Sequence, residues 1–167
     1  TTVTKSPDGI NYEENSTDAS DNITKLALVS LWPTNTWNSL AERALFQASK
    51  ALELADEFPQ YISLITSKTE LSQFILARKA NPHLLGLLLG TEGSHALDGD
   101  VNNIQRLFDS GFRMMSLQHF FDNKLGGSLH GESGEGLTGF GREAIQKMQS
   151  LQIMIDVSHS SEQVVKD

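Results

Sequence analysis

Short apolar runs alternate along the chain with segments that have helical spacing. Each run holds about four to seven nearly continuous apolar residues, which is typical of strands buried on both faces of a parallel sheet. We predict four such strands, near residues 26–32, 84–91, 114–119 and 153–158.

The segments between the runs carry apolar residues three and four positions apart, as amphipathic helices do. Five helices are predicted, and their starts are marked by Leu40, by the capping box of Ser67 and Glu70, by Val101, by Thr138, and by Ser160 or Ser161. The first helix ends before Pro59, and Gly111 is placed to end the third. This alternation of strand and helix predicts βα units and an α/β fold with a parallel sheet.

Composition narrows the classes of function. Residues 1–24 are polar and predict a loop or loosely ordered arm, and residues 25–167 carry the βα pattern. The formal net charge of -8 disfavours nucleic-acid binding, because an acidic surface repels phosphates. No apolar run approaches the roughly 18 residues of a transmembrane helix. No glycine-rich phosphate loop follows a strand.

Charged and imidazole side chains stand just past three of the predicted strands. Glu92 follows the second strand, His119 the third and His159 the fourth. In a (β/α) barrel, side chains at the carboxyl ends of several strands converge on the active site. The chain has no cysteine, so a metal must be held by histidine and carboxylate, a donor set that suits zinc in hydrolytic sites.

Each of these residues also has a purely structural interpretation. Glu92 lies between Gly90 and Gly93 and could bond to backbone amides, whereas His159 could bond to Ser161. His119 could pack under the rim of a barrel. Spacing alone leaves a metallohydrolase and a structural role both open.

The remaining candidates carry weaker signals. His95 is interpreted as structural, and His83 as a surface residue at the opposite end of its strand. His130 lies in a glycine-rich loop, where a lid role has no further support. Asp156 could orient a metal ligand from the second layer of side chains or satisfy a buried backbone group.

Four segments, in order, resemble the membrane dipeptidase family (renal dipeptidase-like, peptidase family M19) of the metal-dependent amidohydrolase superfamily. Residues 89–97 resemble its Glu-Gly-Gly-His segment, and residues 111–119 with Asn123 its Gly-x-Arg-x-x-x-Leu-Thr-His segment. Residues 136–142 resemble its Gly-Leu-Thr-x-x-Gly stretch. Residues 155–159 match Ile-Asp-x-Ser-His. Together they span about residues 25–167.

The resemblance implies a (β/α)8 TIM barrel with two Zn²⁺ ions that hydrolyses dipeptides by attack of a metal-bridging hydroxide. By matched position, Glu92 is the carboxylate that bridges the ions and His159 is a ligand of the second ion. His119 is the catalytic histidine that contacts substrate and stabilises the oxyanion, and Asn123 is a further substrate-binding position. Asp156 is the expected second-layer residue.

The chain also departs from the family pattern. Gln118 replaces a threonine and Ser94 a glycine, and residues 1–25 contain no histidine for the His-x-Asp motif of the first strand. A complete barrel of this kind has about 250 residues or more. We therefore expect about four βα units, the N-proximal half of a longer enzyme.

A half-barrel leaves open strand edges. We expect the chain alone to be inactive and not to form a stable monomer without the remainder of the barrel, which the same or another chain would supply. A homodimer is compatible with this expectation. The alternatives are a non-catalytic relative, a half-barrel fragment that needs a partner segment and serves only in assembly, and an amidohydrolase acting on a non-peptide amide. The absence of cysteine favours a cytoplasmic or periplasmic protein over a disulfide-bonded extracellular one.

Overall fold

The computed structural model describes residues 27–167. The arm predicted for residues 1–24 lies outside the described residues. After a short helical segment at residues 27–29, five α-helices and five short strands follow one another in the described part, with a 3-10 turn at Thr34–Thr36 and another at Ser94–Leu97. The strands are β1 Ile62–Leu64, β2 Leu85–Leu87, β3 Leu89–Thr91, β4 Phe112–Ser116 and β5 Met154–Asp156. The helices are α1 Leu40–Glu57, α2 Lys68–Ala80, α3 Asn102–Asp109, α4 Gly139–Ser150 and α5 Glu162–Lys166.

All strand pairs are parallel. β1 pairs with β2, and β3, β4 and β5 form a second sheet with β4 in the centre. Each connection between two paired strands carries a helix, as in a (β/α) barrel. The α/β class predicted from the sequence is confirmed, and the parallel strands are those of a partial barrel.

The prediction of a first strand near residues 26–32 is wrong. Within residues 26–32, residues 27–29 are helical and the next two form a turn. The apolar run misled because its side chains are not buried together: Leu28 is 50% exposed, Val29 77% and Leu31 89%. A strand of a parallel sheet would have buried them on both faces.

Two further strand predictions change in detail. The run at residues 84–91 is divided at Leu88, so that β2 belongs to the first sheet and β3 to the second. The structure also adds β1, which the sequence pattern missed because its three residues include a polar serine. The pairing of β3 with β4 shifts register between Leu89 and Gly90, which leaves Arg113 as an extra residue in β4.

The core lies between the three-stranded sheet and helices α1, α3, α4 and α5. Its buried side chains come from every layer, and they include Ala44, Ala48, Ile104, Leu107, Phe112, Met115, Leu117, Ala144, Met148, Ile153 and Val164. Helix α1 is fastened to the segment that follows β3, because the Asp98 carboxylate accepts hydrogen bonds from Leu40 N, Ala41 N and the Ser39 hydroxyl. The carboxylate thereby caps the positive end of the helix.

Candidate metal centre

The three strands of the second sheet deliver the predicted residues to one edge. Glu92 directly follows β3, His119 comes three residues after β4, and His159 comes three residues after β5. Because parallel strands all end at the same edge of their sheet, the three side chains meet there. The structure therefore brings together the residues that the sequence singled out.

The donor atoms of these residues form one cluster. Glu92 Oε1 lies 3.5 Å from His119 Nε2 and 3.7 Å from His159 Nε2. One ligand atom from each of the three residues lies within 4.8 Å of the others. The Glu92 side chain is 63% exposed, while that of His119 is 9% and that of His159 25% exposed. An exposed carboxylate thus stands in front of two imidazoles anchored in the fold.

The turn that carries Glu92 depends on glycine and on β4. Gly93 has φ +83°, a left-handed conformation that glycine adopts without strain, and a Cβ there would come within 3.1 Å of His119 Cβ. Gly93 N donates to the Ser116 hydroxyl, and the Ser94 hydroxyl donates to Ser116 O at 2.7 Å. The segment after β3 is therefore bonded to the end of β4, which fixes Glu92 beside His119.

The strand ends that carry the two histidines are also joined. Gln118 is fully buried, and its Oε1 accepts a hydrogen bond from the Ser160 hydroxyl at 2.6 Å. These residues adjoin His119 and His159 in the chain. From the sequence, Gln118 is noted only as a departure from the family pattern. Its bond to Ser160 could not be predicted, because the two residues are 42 positions apart and no sequence pattern connects them.

Burial sets the charge state of His119. Desolvation lowers its pKa, and the Glu92 carboxylate opposes this effect, while the nearby imidazoles of His159 and His130 disfavour a further proton. His119 is therefore neutral at neutral pH. A neutral imidazole has a free nitrogen for a metal and an N–H for a hydrogen bond to substrate.

The donor set fits a zinc-like ion. Two ligands at the usual zinc distances in a tetrahedral site lie about 3.3 Å apart, close to the 3.7 Å between Glu92 Oε1 and His159 Nε2. His159 Nε2 is the nitrogen that faces the carboxylate, and Nδ1 is buried without a hydrogen-bond partner among the described residues. A carboxylate with two imidazoles is the oxygen and nitrogen chemistry that hydrolytic zinc sites use.

Asp156 and Asn123 do not join this cluster. Asp156 Oδ1 accepts hydrogen bonds from Ser158 N and from the Ser158 hydroxyl, and these bonds lower its pKa. Asp156 therefore closes the turn after β5. The Asn123 amide donates to Leu117 O and accepts from Leu125 N, and the residue is 1% exposed. The contact of Asn123 with substrate stays a prediction. The buried side chain bonds to the backbone of its own loop, which does not support that contact.

The other histidines differ in their surroundings. His95 is 3% exposed, and burial, with a smaller effect of the neighbouring His119, lowers its pKa to about 4. His83 lies at the exposed start of the segment leading to β2. His130 stands next to the centre, with its ring centroid 5.5 Å from that of His159. Sequence reasoning placed His130 in a loop but had no signal for this contact.

Comparison with known proteins shows which proteins this chain and its fold are similar to. The chain is 27% identical to Dipeptidase 3 of Mus musculus over 139 residues, which is 74% of this chain and 24% of the relative. An amidohydrolase from Pseudomonas aeruginosa, of known structure, superposes with a TM-score of 0.62 at 20% identity, over 71% of this chain and 35% of that one. A metallopeptidase from Rhodobacter sphaeroides, solved with a phosphinate mimic of the dipeptide L-Ala-D-Ala, gives 0.58 at 19% identity, over 71% and 34%.

The family can be stated more narrowly. The profile of the membrane dipeptidase family (peptidase family M19) matches residues 13–167, so the chain belongs to that family. It spans about a quarter of the curated relative and about a third of the two solved structures. Among the described residues, no helix has the length and apolarity needed to cross a membrane.

Proposed function

We propose that the intact protein is a zinc-dependent dipeptidase, to which this chain contributes part of the metal centre. The observation that carries the proposal is the cluster of Glu92, His119 and His159 at the carboxyl edge of the sheet, with one ligand atom of each within 4.8 Å. The cluster occurs in a chain that belongs to the membrane dipeptidase family.

Glu92 and His159 are the proposed metal ligands. Glu92 has the more exposed side chain of the two, and a carboxylate has a second oxygen that would hold a second ion. Bound zinc would polarise the substrate carbonyl and lower the pKa of a water molecule. These residues are too few to hold two ions, so further ligands from the rest of the intact protein belong to the proposal.

His119 is the proposed catalytic contact to substrate. Its imidazole is held by burial and is neutral, and its Nε2 faces the carboxylate of Glu92. A neutral N–H in this position can donate to the oxygen of a carbonyl as negative charge develops on it. His119 contributes a positioned donor and does not need to change its charge.

Dipeptides are the proposed substrates. Support comes from two relatives: one carries the name Dipeptidase 3, and another was solved with a phosphinate mimic of L-Ala-D-Ala. We expect hydrolysis of both L-Ala-L-Ala and L-Ala-D-Ala, because the proposed reaction acts on the peptide carbonyl that both share and the Glu92 side chain, 63% exposed, leaves that side of the centre open.

The proposal predicts metal-dependent hydrolysis that Glu92→Gln abolishes. Release of alanine from the two dipeptides is measured with the intact protein as purified, after chelation, and after zinc is restored. Chelation should stop hydrolysis and zinc should restore it. Loss of a ligand charge should lower kcat/KM by about a hundredfold or more, since even residues that only orient ligands cost about 10–100-fold. Glu143→Gln, on the exposed side of α4, is the matched control.

Two other results would replace the proposal. Zinc binding without hydrolysis of any dipeptide would indicate a non-catalytic relative. Hydrolysis of N-acyl amino acids or other non-peptide amides, with dipeptides untouched, would indicate an amidohydrolase of different substrate class. Full activity of Glu92→Gln at full metal content would contradict the role given to this carboxylate.

A further inference from the structure

The loop between β4 and α4, residues 117–138, follows a fixed course beside the candidate centre. The Asp122 carboxylate, 3% exposed, accepts hydrogen bonds from Ser128 N at 2.7 Å and from Ser133 N at 3.0 Å. A Cβ at Gly131 would lie only 1.8 Å from Asp122 Oδ1, so the loop backbone packs directly on this carboxylate. The β4–α4 loop thus folds around the buried Asp122 side chain, whose hydrogen bonds hold the loop backbone in place.

The same loop is bonded to the backbone of both site histidines. The Ser128 hydroxyl donates to His119 O at 2.5 Å and lies 3.2 Å from His159 O. Leu129 N donates to His159 O at 2.8 Å. His130 N in turn donates to the Ser128 hydroxyl oxygen at 3.1 Å. Residue 130 is therefore held at a set distance from the candidate centre.

His130 and Phe120 form a small aromatic wall there. Their ring centroids are 5.4 Å apart, and Phe120 also lies 4.3 Å from the His119 ring. Both side chains are exposed, Phe120 by 48%. A half-exposed phenylalanine against two imidazoles is an apolar surface beside a polar cluster, an arrangement that binding sites use to hold apolar parts of a ligand.

We propose that His130 and Phe120 form the wall of the substrate pocket that packs against one side chain of the dipeptide, which makes His130 a specificity-determining residue. The inference rests on the proposed dipeptidase function and adds the substrate class to it: dipeptides with a bulky apolar or aromatic side chain at the position that meets the wall. Ring faces bind such groups by burial of apolar surface and by ring packing.

The proposal is tested with two dipeptide series, X-Ala and Ala-X, in which X is glycine, leucine or phenylalanine. His130→Ala in the intact, zinc-loaded protein should raise KM for leucine and phenylalanine by about threefold to tenfold in one series, the scale of a lost aromatic contact. KM for X = glycine and kcat for all substrates should stay near wild type. His130→Phe should retain the preference, because it keeps the ring.

Binding provides a second readout that does not need turnover. Phosphinate mimics of a dipeptide, one with a leucine side chain and one with glycine at the sensitive position, are titrated calorimetrically into wild type, His130→Ala and the matched surface control His83→Ala. Only His130→Ala should lose affinity, and only for the leucine mimic.

Three results decide the matter. The predicted KM and affinity changes, confined to bulky side chains, support the wall. Equal changes for glycine and leucine, or none, would overturn it while leaving the dipeptidase proposal standing on wild-type activity. A wild type that hydrolyses no member of either series contradicts both proposals.

Discussion

At the scale of single residues, burial decides which imidazoles can change charge. His95 lies three positions after Glu92 and is 3% exposed, and burial lowers its pKa to about 4. It is therefore neutral in the folded protein at all but acidic pH. Desolvation also lowers the pKa of His119, although the nearby Glu92 carboxylate opposes this effect. His119 is therefore neutral at neutral pH, and a neutral imidazole keeps an N–H that can donate to substrate.

The depressed pKa of His95 predicts acid sensitivity of the fold. The unfolded chain binds a proton at this residue near pH 6.5 and the folded chain only near pH 4. The unprotonated His95 therefore contributes fully to the free energy of unfolding above pH 6.5. As the pH falls from 6.5 towards 4, that free energy decreases by up to about 3 kcal/mol. Denaturant titrations of the intact, metal-free protein across this range should show a shallower decline in the free energy of unfolding for His95→Gln than for wild type.

The exposed His83→Gln is the control for this experiment, because it removes a histidine without removing a buried one. The free energy of unfolding of His83→Gln should depend on pH as that of wild type does. If His95→Gln loses stability as steeply as wild type between pH 6.5 and 4, another group accounts for the acid sensitivity.

At the scale of elements, the site depends on ties between strand ends. The Ser116 hydroxyl and carbonyl hold the segment after β3, and Gln118 with Ser160 joins the ends of β4 and β5. Ser128 then bonds the β4–α4 loop to the carbonyls of both histidines. Buried polar bonds of this kind fix the mutual position of elements more sharply than apolar packing does.

Gln118→Ala should loosen the site. It leaves the Ser160 hydroxyl without its buried acceptor, and the free energy of unfolding should fall by about 1–3 kcal/mol. The Kd for zinc should rise by about tenfold or more, as when residues that orient ligands are lost. Denaturant unfolding and zinc titration measure the two effects.

Gln146→Ala, on the exposed face of α4, is the matched control and should change stability by no more than about 0.5 kcal/mol. A Gln118→Ala variant that is less stable but binds zinc like wild type would show that the tie serves packing and does not position the histidines.

At the scale of the whole molecule, the described residues form part of a barrel in which apolar side chains of both sheets are exposed to solvent. Leu85 is 55% exposed, Leu88 49% and Met154 50%, although each lies in or beside a strand. The outer face of the second sheet, in contrast, is covered by α1, α3, α4 and α5. The carboxyl edge of the sheet, where Glu92 lies, belongs to the part that is well packed.

The sequence predicted the candidate cluster because each member directly follows an apolar run, and parallel strands bring their ends together. It failed at residues 26–32 because an apolar run does not reveal whether a partner strand is present. It could not find the aromatic wall, because His130 is held beside the site by hydrogen bonds from the Ser128 hydroxyl and from Leu129 N to His159 O, about thirty positions away. Such contacts have no periodicity to read.

The central claim is that Glu92 and His159 hold metal, and zinc binding tests it most directly. The intact protein is stripped with a chelator and titrated with Zn²⁺ in a calorimeter, as wild type, Glu92→Gln, His159→Ala and the control His83→Ala. We expect Glu92→Gln and His159→Ala to weaken binding by about a hundredfold or more, with His83→Ala unchanged. Zinc bound by both site variants as tightly as by wild type would contradict the claim.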